Sequence, residues 1–168
     1  MVVVCLDKFY LYQIRAIFNK IFRVSQMKNS KKDLNLCHCE SGKDYQQCCQ
    51  PYIEHSLDAP TASALMRSRY TAFALSDKDY LRYSWHPDTC PKTIHLNVKT
   101  TWLGLKIIKT TAGNIDDIKG EVEFVARSKN NGKASRLHEN SRFSRFDNRW
   151  VYIDGKTDDK IVEKSTRI

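Results

Sequence analysis

Four cysteines fall within thirteen residues of this chain: Cys37 and Cys39, then, after eight intervening residues, Cys48 and Cys49, in the string LCHCESGKDYQQCCQPY. Two closely spaced pairs joined by a short loop can supply the four ligands of a tetrahedral ion, with the loop turning the chain back around it. Ser41-Gly42 provide the turn, and Asp44 to Gln47 begin a short helix, capped by Asp44, that presents the second pair. So small a piece buries too little apolar surface to hold itself together, so metal binding and local folding are coupled. The expected ion is zinc, on Cys37, Cys39, Cys48 and Cys49. Iron suits four sulfurs as well, and a redox pair or unliganded thiols are the readings without a metal. His38 is the substitute ligand if Cys49 points elsewhere.

A closed four-sulfur site has no open position at which to activate water, so it argues for folding or partner contact rather than metal-assisted hydrolysis. Four thiolates around a divalent zinc carry a net charge of about −2, which Lys43, basic side chains of the leader and backbone N–H groups can offset. Adjacent cysteines such as Cys48 and Cys49 rarely suit a mutual disulfide, and no secretory signal is evident, which together point to a reducing, cytoplasmic setting. Cys5 and Cys90 stand alone and read as ordinary thiols.

At 168 residues the chain is long enough for one domain with a real core and short appendages. Its formal charge of +9 is unevenly spread: residues 1–32 hold seven Lys or Arg against the single Asp7, whereas the rest is nearly balanced. The leader places Phe9, Ile14, Ile17, Phe18, Ile21 and Phe22 at helical spacings with Arg15, Lys20 and Arg23 between them. Asp7, Lys8 and Arg15 interrupt any signal-peptide core, and the stretch lacks the roughly 20 apolar residues of a membrane span. Residues 1–32 are therefore expected to be a basic amphipathic appendage, with a surface-lying helix as the membrane alternative and Met27 as an alternative start.

The body changes period midway. Asp58 to Leu75 reads as a helix, with Asp58 or Thr61 as cap and Pro60 in the first turn, and Lys78 to Trp85 as a second helix stopped by His86-Pro87. Residues 93–111 read as a strand or bent pair, followed by strands at 116–129, 134–146 and 149–153, with turns at Asn130-Asn131-Gly132 and Asp147-Asn148 and a stop at Asp154-Gly155. Helices followed by an antiparallel meander imply an α+β fold with helices covering one face of a curved sheet. The third strand divides into Leu137, Glu139, Ser141 and Phe143 on one face and Arg136, His138, Asn140 and Arg142 on the other. The polar second face either meets water or lines the mouth of a cavity.

The string CHCESGKDYQQCC resembles the SEC-C motif, a zinc knuckle also found at the C-terminal end of the SecA translocase motor. PTASALMRSRYTAFAL, DYLRYSWHPDTCP, WLGLKI, GEVEFVAR, LHENSRF and RWVYIDG resemble the YchJ-like (UPF0225) family in the family's order. The resemblance implies a zinc knuckle at 33–56, an NTF2-like cone of helices on a curved antiparallel sheet at 57–158, and a tail at 159–168. It also departs from the family, whose knuckle more usually reads Cys-Pro-Cys-Gly-Ser-Gly: His38 and Glu40 replace the Pro and the first Gly. Longer relatives carry a second knuckle after the sheet, for which this sequence has no cysteines.

By resemblance, small knuckles contact proteins, so the leading expectation is a non-catalytic zinc-knuckle protein that binds a protein partner, with homodimerisation through the sheet plausible by fold. The body lacks the interleaved aromatic and basic pattern of single-strand readers, which argues against nucleic acid as a partner. The alternative is a small-molecule pocket, or a lyase- or isomerase-like site, centred on His138. Candidate lining residues are Arg67, Arg69, Tyr70, Trp85, His86, Trp102, His138, Glu139 and Arg142, with Glu123 and Asp154 as further carboxylates. Arg67 and Arg69 are expected to pair with Glu139, Glu123 or Asp154, and Trp85, Trp102 and Trp150 to be core aromatics.

Overall fold

The structure is a computed structural model that describes residues 35–157, so the leader at 1–32 and the tail at 159–168 lie outside the described residues. The chain enters through the knuckle. Leu36 bridges Asp44, and the Cys37 N–H donates to the Lys43 carbonyl at 2.9 Å, closing the loop around Ser41-Gly42. A single 3-10 turn at Tyr45–Gln47 leads to the short helix α1, Gln50–Ile53, which begins with Pro51 in its first turn.

Helix α2 spans Ala62–Leu75. It starts later than its composition suggests because Thr61 is the cap, its Oγ1 accepting from the Ala64 N–H at 3.1 Å. Asp58 and Pro60 stay outside the helix. The Pro60 carbonyl is instead taken by the indole N–H of Trp150 at 3.1 Å, which holds the entry loop on the sheet. The helix ends where Ser76 turns left-handed (φ 60°), a C-cap made without the usual glycine. Helix α3 spans Lys78–Tyr83, with Asp77 accepting from the Tyr80 N–H at 2.9 Å. It stops two residues short of Trp85 because the next backbone groups are claimed by the sheet. Ser84 accepts from Tyr152 N–H at 2.9 Å and His86 donates to the Tyr152 carbonyl at 2.7 Å.

Four strands follow, β1 (Thr100–Ala112), β2 (Lys119–Asn130), β3 (Lys133–Phe146) and β4 (Arg149–Thr157), antiparallel and in chain order. Residues 93–99 are not strand. Asn97 instead makes a turn, its side chain accepting from Lys99 N–H at 3.0 Å and its carbonyl from Thr100 N–H at 2.9 Å. The two two-residue hairpin loops each place both residues at positive φ, Asn131 (48°) with Gly132 (84°), and Asp147 (49°) with Asn148 (63°). That pairing matches the twist of the flanking strands. The fourth strand runs past Asp154-Gly155 to Thr157, which pairs with Glu139. Register shifts after Trp102, Ile107 and Arg142 mark bulges that bend the long strands, and α2 packs against β1, β2 and β4 on the enclosed face. The core between helices and sheet is built from Leu65, Tyr70, Leu81, Val122, Phe143 and Trp150, all buried. At its lower edge Gly113 allows close contact: a Cβ there would stand 2.7 Å from the Ala62 Cβ, and the Ala62 N–H donates to the Gly113 carbonyl at 2.9 Å.

Candidate functional site: a thiol cluster and a lined cone

The knuckle brings Cys37, Cys39, Cys48 and Cys49 together, with all four sulfurs within 4.8 Å of one another. Cys39 Sγ lies 3.5 Å from Cys48 Sγ, which is 3.8 Å from Cys49 Sγ. A tetrahedral zinc site with metal–sulfur bonds of about 2.3 Å has sulfur–sulfur edges of about 3.8 Å, so the four donors fit one ion. Cys49 joins the cluster, so the condition under which His38 would substitute does not arise, and His38 is exposed and outside it. Cys37, Cys39 and Cys49 are buried, and Cys48 is partly open.

The thiols also compete for protons. Hydrogen bonds from Cys37 and Cys49 pull the Cys39 thiol down, bonds to Cys37 and Cys39 push Cys49 up, and burial pushes Cys48 up to about 11. The cluster alone thus stabilises one thiolate at the expense of the others. A divalent cation removes that conflict by satisfying every sulfur as a thiolate.

The knuckle is sewn onto α2. Arg67 Nη1 donates to the Cys39 carbonyl at 3.0 Å, and Cys37 Sγ lies 3.6 Å from Thr71 Oγ1, one turn further along the same helix. Arg67 therefore does not pair with Glu139, Glu123 or Asp154, and it lies in a groove of about 340 Å³ with Lys43, Cys48 and Tyr52 rather than in the cone. Its charge and that of Lys43 lie where a tetrathiolate centre needs offsetting.

The second site is the mouth of the cone, a cavity of about 230 Å³ between α2 and the inner face of the sheet. Two aromatic clusters line it. Trp102 stands edge-on to Tyr70 (5.4 Å between centroids) and tilted against Phe73 (5.6 Å). Trp85 meets Tyr152 edge-on at 5.0 Å, and the Arg69 guanidinium lies over both, 4.8 Å and 4.4 Å from their ring centroids. Arg69 is only 3% exposed. Its Nη1 donates to the Leu81 carbonyl at 3.0 Å and to Ser84 Oγ at 2.7 Å, so it ties α2 to α3 and not to a carboxylate. Burial lowers the guanidinium to about 10, which leaves it charged at neutral pH. Burial also raises Tyr152 and Tyr70, each to about 12, so both phenols stay neutral.

Of the expected pocket residues, Arg69, Tyr70, Trp85, Trp102 and Glu139 line the cavity. His138 does not. It lies on the opposite face of β3, with Nε2 2.7 Å from Glu123 Oε1, and the same face carries Arg142 paired with Asp154 at 2.7 Å. The polar face of β3 therefore meets water, and a pocket centred on His138 is corrected to one walled by Glu139. His86 also stands away from the cavity, its ring against Phe146 at 5.2 Å. Trp85 and Trp102 line a cavity, and of the three tryptophans only Trp150 is fully buried. Tyr152, Ser141 and Phe124 also line the cavity and are not among the residues expected to do so. The alternation in RWVYIDG, which sets Tyr152 on the face of the buried Trp150, was the available signal for the first of these.

A four-thiol knuckle leading into helices laid on a curved antiparallel sheet defines a SEC-C-type protein with an NTF2-like domain. The chain belongs to the UPF0225 family: residues 61–155 match the family described as YchJ, middle NTF2-like domain, and residues 35–51 match the SEC-C motif. A UPF0225 protein of Chromobacterium violaceum is 47% identical over 133 residues, covering 77% of this chain and 98% of that protein. One from Deinococcus radiodurans is 46% identical over 70% of this chain and 86% of its own length. Among solved structures, a SEC-C motif containing protein from Rhodopseudomonas palustris, determined in solution, superposes with a TM-score of 0.64 at 32% identity, covering 73% of this chain and 98% of that one. A crystal structure of such a protein from Psychrobacter arcticus gives 0.58 at 27% identity, over 80% and 86% of the two chains. No helix among the described residues is long and apolar enough to cross a membrane.

Proposed function

We propose that this chain is a zinc-stabilised binding protein: the ion closes the knuckle as a fixed part of the fold, and the cone holds a small ligand. The observation that carries the ligand half is Arg69, a cation 3% exposed in the wall of a cavity of about 230 Å³, with no carboxylate paired to it among the described residues. A buried charge with no counter-ion in contact is costly to a fold, and a site that keeps one is a candidate for binding. The zinc half is supported by the four converging sulfurs and by their inward setting against Thr71 and the Cys39–Arg67 contact. When bound, zinc supplies cross-linking of the two cysteine pairs, while Arg67, Thr71 and Lys43 hold and neutralise the knuckle around it.

Native mass spectrometry of protein purified without added metal tests both halves at once. The expected result is one zinc per chain together with a retained or exchangeable small mass. Absence of zinc sinks the four-sulfur metal centre, and failure of any small molecule to bind the zinc-loaded chain sinks the cone reading. The protein partner and the homodimer expected from resemblance are separate proposals, and the small-ligand reading does not need either.

A further inference from the structure

Resting on the small-ligand reading of the cone, we propose that the ligand is a small carboxylate built on a single aromatic ring, its carboxylate held by Arg69 and its ring among Trp102, Phe73 and Phe124. The cavity sets the size. An apolar cavity of about 150 Å³ accommodates benzene, so about 230 Å³ leaves room for one ring and a short polar head. The walls set the character of the body: Phe73, Trp102 and Phe124 offer ring faces and edges, which favour a flat aromatic partner over a flexible chain.

The head group follows from the unused capacity of Arg69. Guanidinium carries five N–H donors in a planar fork. Among the described residues only Nη1 has acceptors, the Leu81 carbonyl and Ser84 Oγ, and both are neutral. The remaining donors belong to a side chain that lines the cavity and is clamped by Trp85 and Tyr152, so the fork is held before any ligand arrives. A planar carboxylate is the group whose two oxygens match such a fork.

Glu139 is the one carboxylate in the cavity wall. It is turned to other partners, its Oε1 accepting from Ser141 Oγ at 2.5 Å and lying 3.5 Å from the Tyr152 hydroxyl. It does not neutralise Arg69 by contact, yet its charge opposes an incoming anion. That opposition distinguishes an anionic ligand from a zwitterion or a neutral amide, either of which would use Glu139 as an acceptor.

The test titrates the zinc-loaded chain with benzoate and with benzamide, which share a ring and differ in charge, following heat and the fluorescence of Trp85 and Trp102. Benzoate is expected to bind about tenfold more tightly than benzamide. Glu139→Gln should tighten benzoate severalfold, and Arg69→Met should abolish the preference for the anion. Benzamide binding as well as benzoate, or Glu139→Gln weakening benzoate, overturns the carboxylate assignment and leaves a small-ligand cone standing. Failure of both probes to bind overturns the aromatic carboxylate, and the cone reading falls with it only if native mass spectrometry of the zinc-loaded chain also shows no bound small mass. Should Arg69→Met fail to fold, the comparison of the two probes on the unmodified chain and the Glu139→Gln result decide the matter.

Discussion

Arg67 reaches from the middle of α2 to the Cys39 carbonyl, donating at 3.0 Å, while one turn further along the same helix Thr71 meets the Cys37 sulfur. The first cysteine pair is thus fixed to the cone's principal helix, and the knuckle is a wall of the fold rather than a bead on a tether. Thr71 itself is fully buried, its hydroxyl donating back to the Arg67 carbonyl at 3.1 Å.

Arg67→Ala removes a charge-assisted bond to a backbone carbonyl and one cation beside the thiol cluster. A loss of about 1–2 kcal/mol in unfolding free energy is expected, with zinc content unchanged. Denaturant unfolding read by tryptophan fluorescence checks the first part and elemental analysis the second. A variant as stable as the parent would show that the knuckle is held by the metal alone.

Cys37→Ser and chelation of the metal should act alike. Each leaves the remaining sulfurs in competition for protons, so amides of residues 37–53 are expected to lose protection against hydrogen exchange while those of β2 and β3 keep it. The cone should survive because most of its core, from Leu65 to Trp150, lies outside the knuckle, even though Cys37, Cys39 and Cys49 join the same buried cluster. Unchanged zinc content in Cys37→Ser would rule out the four-sulfur centre, and global loss of protection would make the knuckle part of a single folding unit.

The parts of this fold legible in the sequence are those with a strong local cause. Cysteine spacing marks the knuckle, and Asn131-Gly132 fixes a hairpin because both residues tolerate positive φ. Alternation along β3 separates Glu139 from His138, but alternation cannot say which face is enclosed, and it is Glu139 that lines the cavity while His138 meets Glu123 on the other side. The burial of Arg69 was equally hidden. An arginine on a helix ordinarily seeks a carboxylate at the surface, and only the long-range approach of Trp85 and Tyr152 creates an aromatic slot for it. The boundaries of α2 and α3 shifted because loop groups such as the Pro60 carbonyl and the Ser84 backbone found tertiary partners.

Glu40 occupies the position where the resemblance expects glycine, and the backbone shows why: φ is 53° there, in the left-handed region. A residue with a Cβ pays a steric cost at that angle, about 1 kcal/mol or more, that glycine does not. Its compensating contact is weak, a 3.5 Å approach to Arg127 with both side chains about half exposed. Glu40→Gly is therefore expected to raise stability by roughly 0.5–1 kcal/mol and to leave metal content alone. A shift of the thermal midpoint upward supports this; a downward shift would mean that the Glu40 carboxylate, packed over Gly104, contributes more than its exposure suggests.

Alkaline pH should weaken the cone. Burial holds Tyr70 and Tyr152 each at about 12, whereas an unfolded tyrosine ionises near 10. Because the folded values are the higher ones, the neutral phenols contribute stability that is fully present below pH 10 and drains away as pH rises from there towards 12. Tyr70 also accepts from the Gly104 N–H at 2.7 Å, and this bond eases ionisation without cancelling the effect of burial. Unfolding midpoints measured at pH 9 and pH 11, with tyrosinate absorbance recorded alongside, should show the fall. Flat stability across that window would place both phenols in contact with water.

His138→Ala provides the sharpest separation between the two faces of β3. Nε2 of His138 lies 2.7 Å from Glu123 on the outer face, whereas Glu139, one residue on, lines the cavity. Removing the imidazole breaks a cross-strand pair between β3 and β2 that is only partly buried, so a loss of about 0.5–1 kcal/mol is expected. Benzoate affinity should not change, because neither partner of the pair touches the cavity. A clear loss of affinity with an intact fold would return the site to the opposite face of the strand and would require a different account of Arg69. Retained affinity in His138→Ala beside altered affinity in Glu139→Gln assigns the binding surface to the enclosed side, where the buried guanidinium waits between its two rings.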